Sequence, residues 1–237
     1  MAKTNFKNGI KDGLPIGLGY LSVSFAFGVQ ASIAGIPIFM SVFISMTNLT
    51  SAGQLAGLSI IAAVGTLLEM ALTQIVINAR YFLMSITLSQ KLDDKFNTAH
   101  RFLASVFVTD EIFAVASSKP YPLNKKYYYG LVILPYLGWT LGTLLGAAAG
   151  DVLPTELTSA LGIALYAMFI AIIVPPSIRH KGVLSAVLLA SAISCGLYFI
   201  PIFSNLSSGL SIIISALISA SVVAFIFPIK KKEGDSV

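Results

Sequence analysis

The sequence predicts an all-α fold: a polytopic integral membrane helical bundle of about seven to eight helices, with short broken or re-entrant segments in its first half. Three observations carry that expectation. Of 237 residues, 56% are hydrophobic and only 11% charged, against roughly a quarter charged in a soluble domain. Apolar runs near the roughly 20 residues a bilayer crossing needs recur along the chain, separated by short polar segments. Lys and Arg sit almost entirely in those segments and at the ends, so the net charge of +5 reads as positive-inside topology and not as a nucleic-acid surface. A single transmembrane domain over 1–237 is expected, with 1–13 a basic cytoplasmic lead and 229–237 a basic cytoplasmic tail. Cys195 is the only cysteine, which rules out an internal disulfide. His100 and His180 read as loop residues without ligand-spaced companions, so no metal or cofactor is expected.

Lys3, Lys7 and Lys11 lead into the apolar run Leu14 to Ala34. It is longer than a signal-peptide core and lacks a small-x-small cleavage site, so it reads as a first spanning helix entered from the cytoplasm. Gly13, Gly17, Gly28 and Gly35 thin its surface, which predicts close helix contact. Ile36 to Leu49 is apolar but too short to span. It ends in Thr47, Asn48, Thr50, Ser51, Gly53 and Gln54. That pattern fits either a discontinuous or re-entrant helix, whose exposed backbone must line a cavity, or an ordinary extramembrane loop.

Leu55 begins the next apolar run, through Asn78, and the stretch Gly65 to Arg80 reads as a helix with a polar face. At about 100° per residue, Gly65, Glu69, Thr73 and Arg80 share one sector, with Gln74 and Asn78 on another. A charge at mid-bilayer costs roughly 2.5 to 3.5 kcal/mol, so Glu69 needs a cation, a proton, trapped water or a protein partner. Arg80 is about 16 Å further along the helix, too far to pair with it. Tyr81 to Leu92 reads as a separate short amphipathic stretch and KLDDKFNTAHR as a solvated loop. Arg101 to Ser118 is short and carries Thr109, Asp110 and Glu111 at its centre. Adjacent carboxylates repel and resist burial, so a cation or a proton is expected for at least one, unless the segment merely lies at the interface. Both 91–101 and 119–126 are basic, so 101–118 is re-entrant or one of the two breaks the positive-inside rule.

In the second half Lys125 and Lys126 precede Tyr127, Tyr128 and Tyr129, a basic flank with an aromatic belt. Gly138, Gly142, Gly146 and Gly150 then repeat every four residues, a groove down one helix face. Asp151 and Glu156 mark an external loop, Arg179 and Lys181 an internal one, and Lys230 to Lys232 an internal C-terminus. Helices are expected near 127–150, 158–178, 183–203 and 209–228, with bends at Pro175, Pro176 and Pro201.

Taken in order, GIKDGLPIGLGYLSVSFAFGV, the AGQ at Ala52 to Gln54, the NAR at Asn78 to Arg80, the TDE at Thr109 to Glu111 and the YLGW at Tyr136 to Trp139 resemble the AzlC-type branched-chain amino acid permeases. The resemblance covers nearly the whole chain. Two departures bear on substrate preference: SAGQ stands where the family commonly reads AGSSQ, and NARY where it reads NLRH. The resemblance implies a subunit of a bacterial inner-membrane exporter of leucine, isoleucine and valine, with methionine a secondary expectation. It also implies a small hydrophobic AzlD-type membrane subunit as partner. No long cytoplasmic coupling helix is evident for an ATPase to grip, which favours a secondary, proton-coupled transporter.

The residues themselves also point to transport, since intramembrane charges and broken helices suit alternating access around a midplane site. Ser51, Gly53, Gln54, Asn78 and Arg80 are the candidate substrate-binding residues. Glu69, Asp110 and Glu111 are candidates for proton coupling or charge pairing. A non-catalytic structural or assembly subunit would leave those charges unexplained. An intramembrane enzyme lacks a base facing a nucleophile, and Asp110 and Glu111 point about 100° apart, which suits no shared metal.

Overall fold

The computed structural model of the chain describes residues 5–120, 122–150, 153–154, 156–157, 160, 163, 170, 173–203 and 206–228. These are helical throughout, with a single isolated bridge between Leu92 and Leu123 among them. The α-helices are α1 (Phe6–Ile33), α2 (Ile38–Thr47), α3 (Ser51–Ala62), α4 (Leu67–Ser89) and α5 (Thr98–Val106). They continue as α6 (Asp110–Ser117), α7 (Lys125–Ala149), α8 (Lys181–Phe199) and α9 (Ser208–Ile226), with a 3-10 turn at Pro201–Phe203. α1, α4, α7, α8 and α9 are long and apolar enough to cross a bilayer. Asn5, Asn97, Thr109, Asn124 and Ser207 each cap a helix by accepting the amide three residues on, as short polar side chains do at N-termini.

The chain divides into two compact units, Met1–Leu58 with Ile77–Leu165 and Ser59–Val76 with Tyr166–Val237. In the first, α1 and α7 run parallel and are each other's main packing partner. A Cβ on Gly9, Gly13, Gly17 or Gly28 would meet backbone of α7 within 3 Å, and one on Gly130, Gly138, Gly142 or Gly146 would meet α1 in the same way. The two glycine series noted in the sequence are thus the two sides of one interface, where missing side chains let backbones touch. Gly35 is not part of it: its φ is +75° and a Cβ there would meet nothing within 4 Å, so it serves the turn after α1.

Several local expectations are corrected. Gly65 and Thr66 lie in a break between α3 and α4 and not on a helical face, and Val64 takes φ 54° there. Tyr81 is inside α4, which runs unbroken through Arg80 to Ser89. The loop after it is not simply solvated, since Leu92 and Phe96 are buried in the same cluster as Ile112, Leu123 and Tyr128. His100 lies in α5 and shares a 2.8 Å hydrogen bond with the Tyr129 hydroxyl.

The 101–118 segment is two short helices, α5 and α6, broken at 107–109. The basic loops on either side of it are hydrogen-bonded together, Asp93 N–H donating to Leu123 O and Leu123 N–H to Lys91 O, both at 2.9 Å. The segment therefore returns to the end it left, as a re-entrant hairpin does. Parallel α1 and α7 also start at that end, where Asp12 pairs with Lys119 at 2.7 Å and accepts the Tyr127 hydroxyl at 2.6 Å.

In the second unit α8 and α9 are antiparallel, with Gly182 near the start of α8 lying against Phe227 at the end of α9. The helix expected at 158–178 falls mostly outside the described residues, although 173–179 are helical. Asp151 also lies outside them.

Candidate functional site

Tyr20, midway along α1 and 7% exposed, is the point where two chain breaks meet. Leu49, in the break between α2 and α3, packs with Tyr20 and Trp139. From the other break, Thr109 Oγ1 lies 2.6 Å from the Tyr20 hydroxyl and Glu111 Oε2 lies 2.5 Å from it. With one proton to give, Tyr20 donates to the carboxylate and accepts from Thr109. Asp110 and Glu111 occupy the first turn of α6, where acidic side chains are stabilised by the helix N-terminus.

Arg80 completes this group. Its Nη2 lies 2.6 Å from Asp110 Oδ2, with the side chains 50% and 33% exposed, and 3.2 Å from the Tyr81 hydroxyl. The partner of Arg80 is thus Asp110 of the re-entrant hairpin, and Glu69 has a different one. Arg101, the other basic candidate, donates instead to the carbonyls of Phe96 and Ser89, and Lys91 to that of Ser117.

Gln54 belongs to a second, buried group. Its Nε2 donates to Ser45 Oγ at 2.9 Å, and Ser45 shares a 2.6 Å hydrogen bond with Thr143 of α7. The first turn of α3 is thereby folded back on the end of α2. Gly53 N–H is satisfied by Thr50 Oγ1 at 3.3 Å, and Ser51 is half-buried at the start of the same turn. Trp139, one turn before Thr143, is 3% exposed and sits edge-to-face with Tyr20 at 5.0 Å. Gln54 Oε1 and Trp139 Nε1 are both buried without a hydrogen-bond partner, a costly condition that a polar ligand would relieve.

Asn78 is half-buried on α4, about 200° round the helix from Arg80, so the two point to opposite sides. The Ser51–Gln54 turn and Arg80 are linked through Tyr20: Leu49 touches its ring, and its hydroxyl reaches the Thr109–Glu111 turn that carries Asp110. Glu69 belongs to the second unit, where its Oε1 accepts Gly209 N–H at 2.9 Å and so caps α9 from outside that helix. Tyr20, Ser45, Thr109, Trp139 and Thr143 were not among the predicted site residues, although hydroxyls and an indole in apolar segments were their signal. No three His, Cys, Asp or Glu side chains cluster as metal ligands among the described residues.

A family model described as "AzlC protein" matches residues 15–153. The inner membrane protein YgaZ of Escherichia coli (strain K12) is 29% identical over 205 residues, covering 83% of this chain and 84% of that protein. An uncharacterized membrane protein of Archaeoglobus fulgidus is 29% identical over 184 residues, 77% of this chain and 80% of its own. One from Helicobacter pylori (strain 26695) is 26% identical over 151 residues, 62% of this chain and 64% of its own. No solved structure matches the chain significantly.

Proposed function

Because this chain belongs to the AzlC family of membrane proteins, we propose that it is the transport subunit of a branched-chain amino acid exporter working with a small AzlD-type membrane subunit. The observation that carries this reading is the mixed-charge group of Arg80, Asp110 and Glu111 where two broken segments meet on Tyr20. Irregular backbone and charge at membrane depth are tolerated only beside a cavity, and that is where transporters bind their cargo. Arg80 takes the carboxylate of the substrate, with the Ser51–Gln54 turn as a further polar contact, while Asn78 faces the opposite side of α4 and stands outside this site. Leu49, Tyr20 and Trp139 supply an apolar wall for the branched side chain.

Proton import drives export, with the acidic pair of α6 as the coupling element; Glu69, engaged with Gly209, is the reserve candidate. Both termini lie on the cytoplasmic side of a bacterial inner membrane, in keeping with the basic ends of α1 and α7. The test is leucine efflux from loaded proteoliposomes with and without a pH gradient. Arg80→Lys keeps the charge and loses the planar fork, and is expected to raise half-saturating leucine roughly tenfold, about 1.4 kcal/mol. Wild-type affinity in that variant would remove Arg80 from the substrate site, and flux indifferent to the gradient would remove proton coupling.

A further inference from the structure

We propose that Glu111 is the exchange point of this transporter: its carboxylate holds either the α-ammonium group of the amino acid or a proton, never both. The inference rests on the amino acid reading above and adds the residue that discriminates the cargo and the way cargo and proton are coupled.

The charge count of the site leads to it. Arg80 contributes one positive charge and Asp110 and Glu111 two negative ones, while their other polar neighbours, Tyr20, Tyr81 and Thr109, are neutral. Of the basic residues of the flanking loops, Arg101 and Lys91 are engaged with backbone carbonyls, Lys119 with Asp12 and Lys125 with the Phe96 ring. One negative charge is therefore left over. One carboxylate of the pair thus lacks a cationic partner and can accept an ammonium or a proton; a zwitterion brings its ammonium with a carboxylate of its own, so the group stays singly negative with cargo and becomes neutral with a proton.

Geometry decides which carboxylate receives it. Asp110 is already matched by Arg80. Glu111 is exposed, and its Oε2 is fixed by the Tyr20 hydroxyl while the side chain stays open to a ligand. Both hydrogen bonds of Arg80 leave from Nη2, so Nε and Nη1 remain for a carboxylate. A zwitterionic amino acid, whose two charged groups share one carbon, matches in charge the open edge of Arg80 and the carboxylate next in the chain to its ion-pair partner Asp110. Trp139, whose Nε1 is buried without a hydrogen-bond partner, packs on the same Tyr20 that holds Glu111.

Around Glu111 stand Tyr20 of α1, hydrogen-bonded to it, and Asp110 of its own helix, which in turn holds Arg80 and Tyr81 of α4. From α7, Tyr136 reaches the α5–α6 break with its ring on Phe107, and its hydroxyl is directed to Met46 O. Protonated Glu111 no longer attracts an ammonium, and by linkage a bound ammonium excludes the proton to the same degree. Mutual exclusion on one carboxylate is what exchange of an inward proton for an outward amino acid requires.

The test uses the purified chain in detergent with Trp139, its only tryptophan, as fluorescent reporter. The probes are leucine and its des-amino analogue 4-methylpentanoate, titrated across pH. In the wild type, leucine affinity is expected to fall towards acid pH by up to about tenfold per pH unit, the slope for one competing proton, whereas 4-methylpentanoate is not weakened over the range in which its own carboxylate stays ionised. Glu111→Gln is expected to flatten the leucine profile and to bind both probes alike. Tyr20→Phe retains the carboxylate and is expected to retain the slope with a displaced midpoint, which guards against a variant that merely misfolds. A wild type that binds leucine with no pH dependence, or a Glu111→Gln variant that keeps the slope, overturns the exchange role and leaves amino acid binding standing. A wild type that binds no branched-chain amino acid overturns both.

Discussion

Gly17 and Gly19 lie two residues apart on α1, and replacing each with alanine separates helix propensity from interhelical contact. A Cβ on Gly17 would lie 2.8 Å from Leu134 O, 2.9 Å from Leu134 C and 3.3 Å from Leu134 Cβ, whereas one on Gly19 would meet nothing within 4 Å. Both substitutions gain about 1 kcal/mol of helix propensity. Only Gly17→Ala must push a backbone carbonyl of α7 aside, and overpacking of this kind costs about 1 to 3 kcal/mol. Gly19→Ala is therefore expected to be neutral or slightly stabilising. Gly17→Ala is expected to lie about 1 to 3 kcal/mol below it. Unfolding of the purified protein by SDS titration, followed by Trp139 emission, reads this interface directly because Trp139 is buried on α7 beside Tyr20 of α1. If the two variants unfold within about 0.5 kcal/mol of each other, the margin for an ordinary surface change, the α1–α7 contact does not hold as described.

Glu69→Ala leaves the buried Gly209 N–H without its acceptor, and is expected to cost about 1 to 2 kcal/mol and to speed hydrogen exchange at the first amides of α9. Glu69→Gln keeps an acceptor and should lose less; equal losses would mean that the charge and not the cap matters. For topology, Glu156→Cys in a Cys195→Ser background is expected to react with an impermeant maleimide only from the outside of intact cells, and labelling only from the cytoplasmic face would reverse the orientation.

The sequence by itself was enough to establish a helical membrane protein, because hydropathy and run length are summed over twenty or so residues and survive any local error. α7, α8 and α9 begin and end within a few residues of where hydropathy and flanking charge placed them, whereas α1 ends as expected but starts at Phe6, eight residues before Leu14, because Asn5 caps it and the basic lead is itself helical. The glycines of α7 were visible as a helix-packing surface, since their four-residue spacing is a property of one helix alone, and of the α1 series Gly13, Gly17 and Gly28 pack while Gly35 does not.

What remained open was everything that depends on one segment meeting another. Two basic loops around residues 101–118 posed a choice that hydropathy could not make; the hydrogen bonds between Asp93, Leu123 and Lys91 make it. Arg80 and Asp110 are 30 positions apart in the chain, and only the return of the re-entrant hairpin brings them to 2.6 Å. Tyr20 was invisible as a site residue because an isolated tyrosine in an apolar helix looks like any other core aromatic. Its role comes from the two chain breaks that converge on its ring and hydroxyl, and such convergence is a property of three-dimensional packing that no one-dimensional pattern encodes.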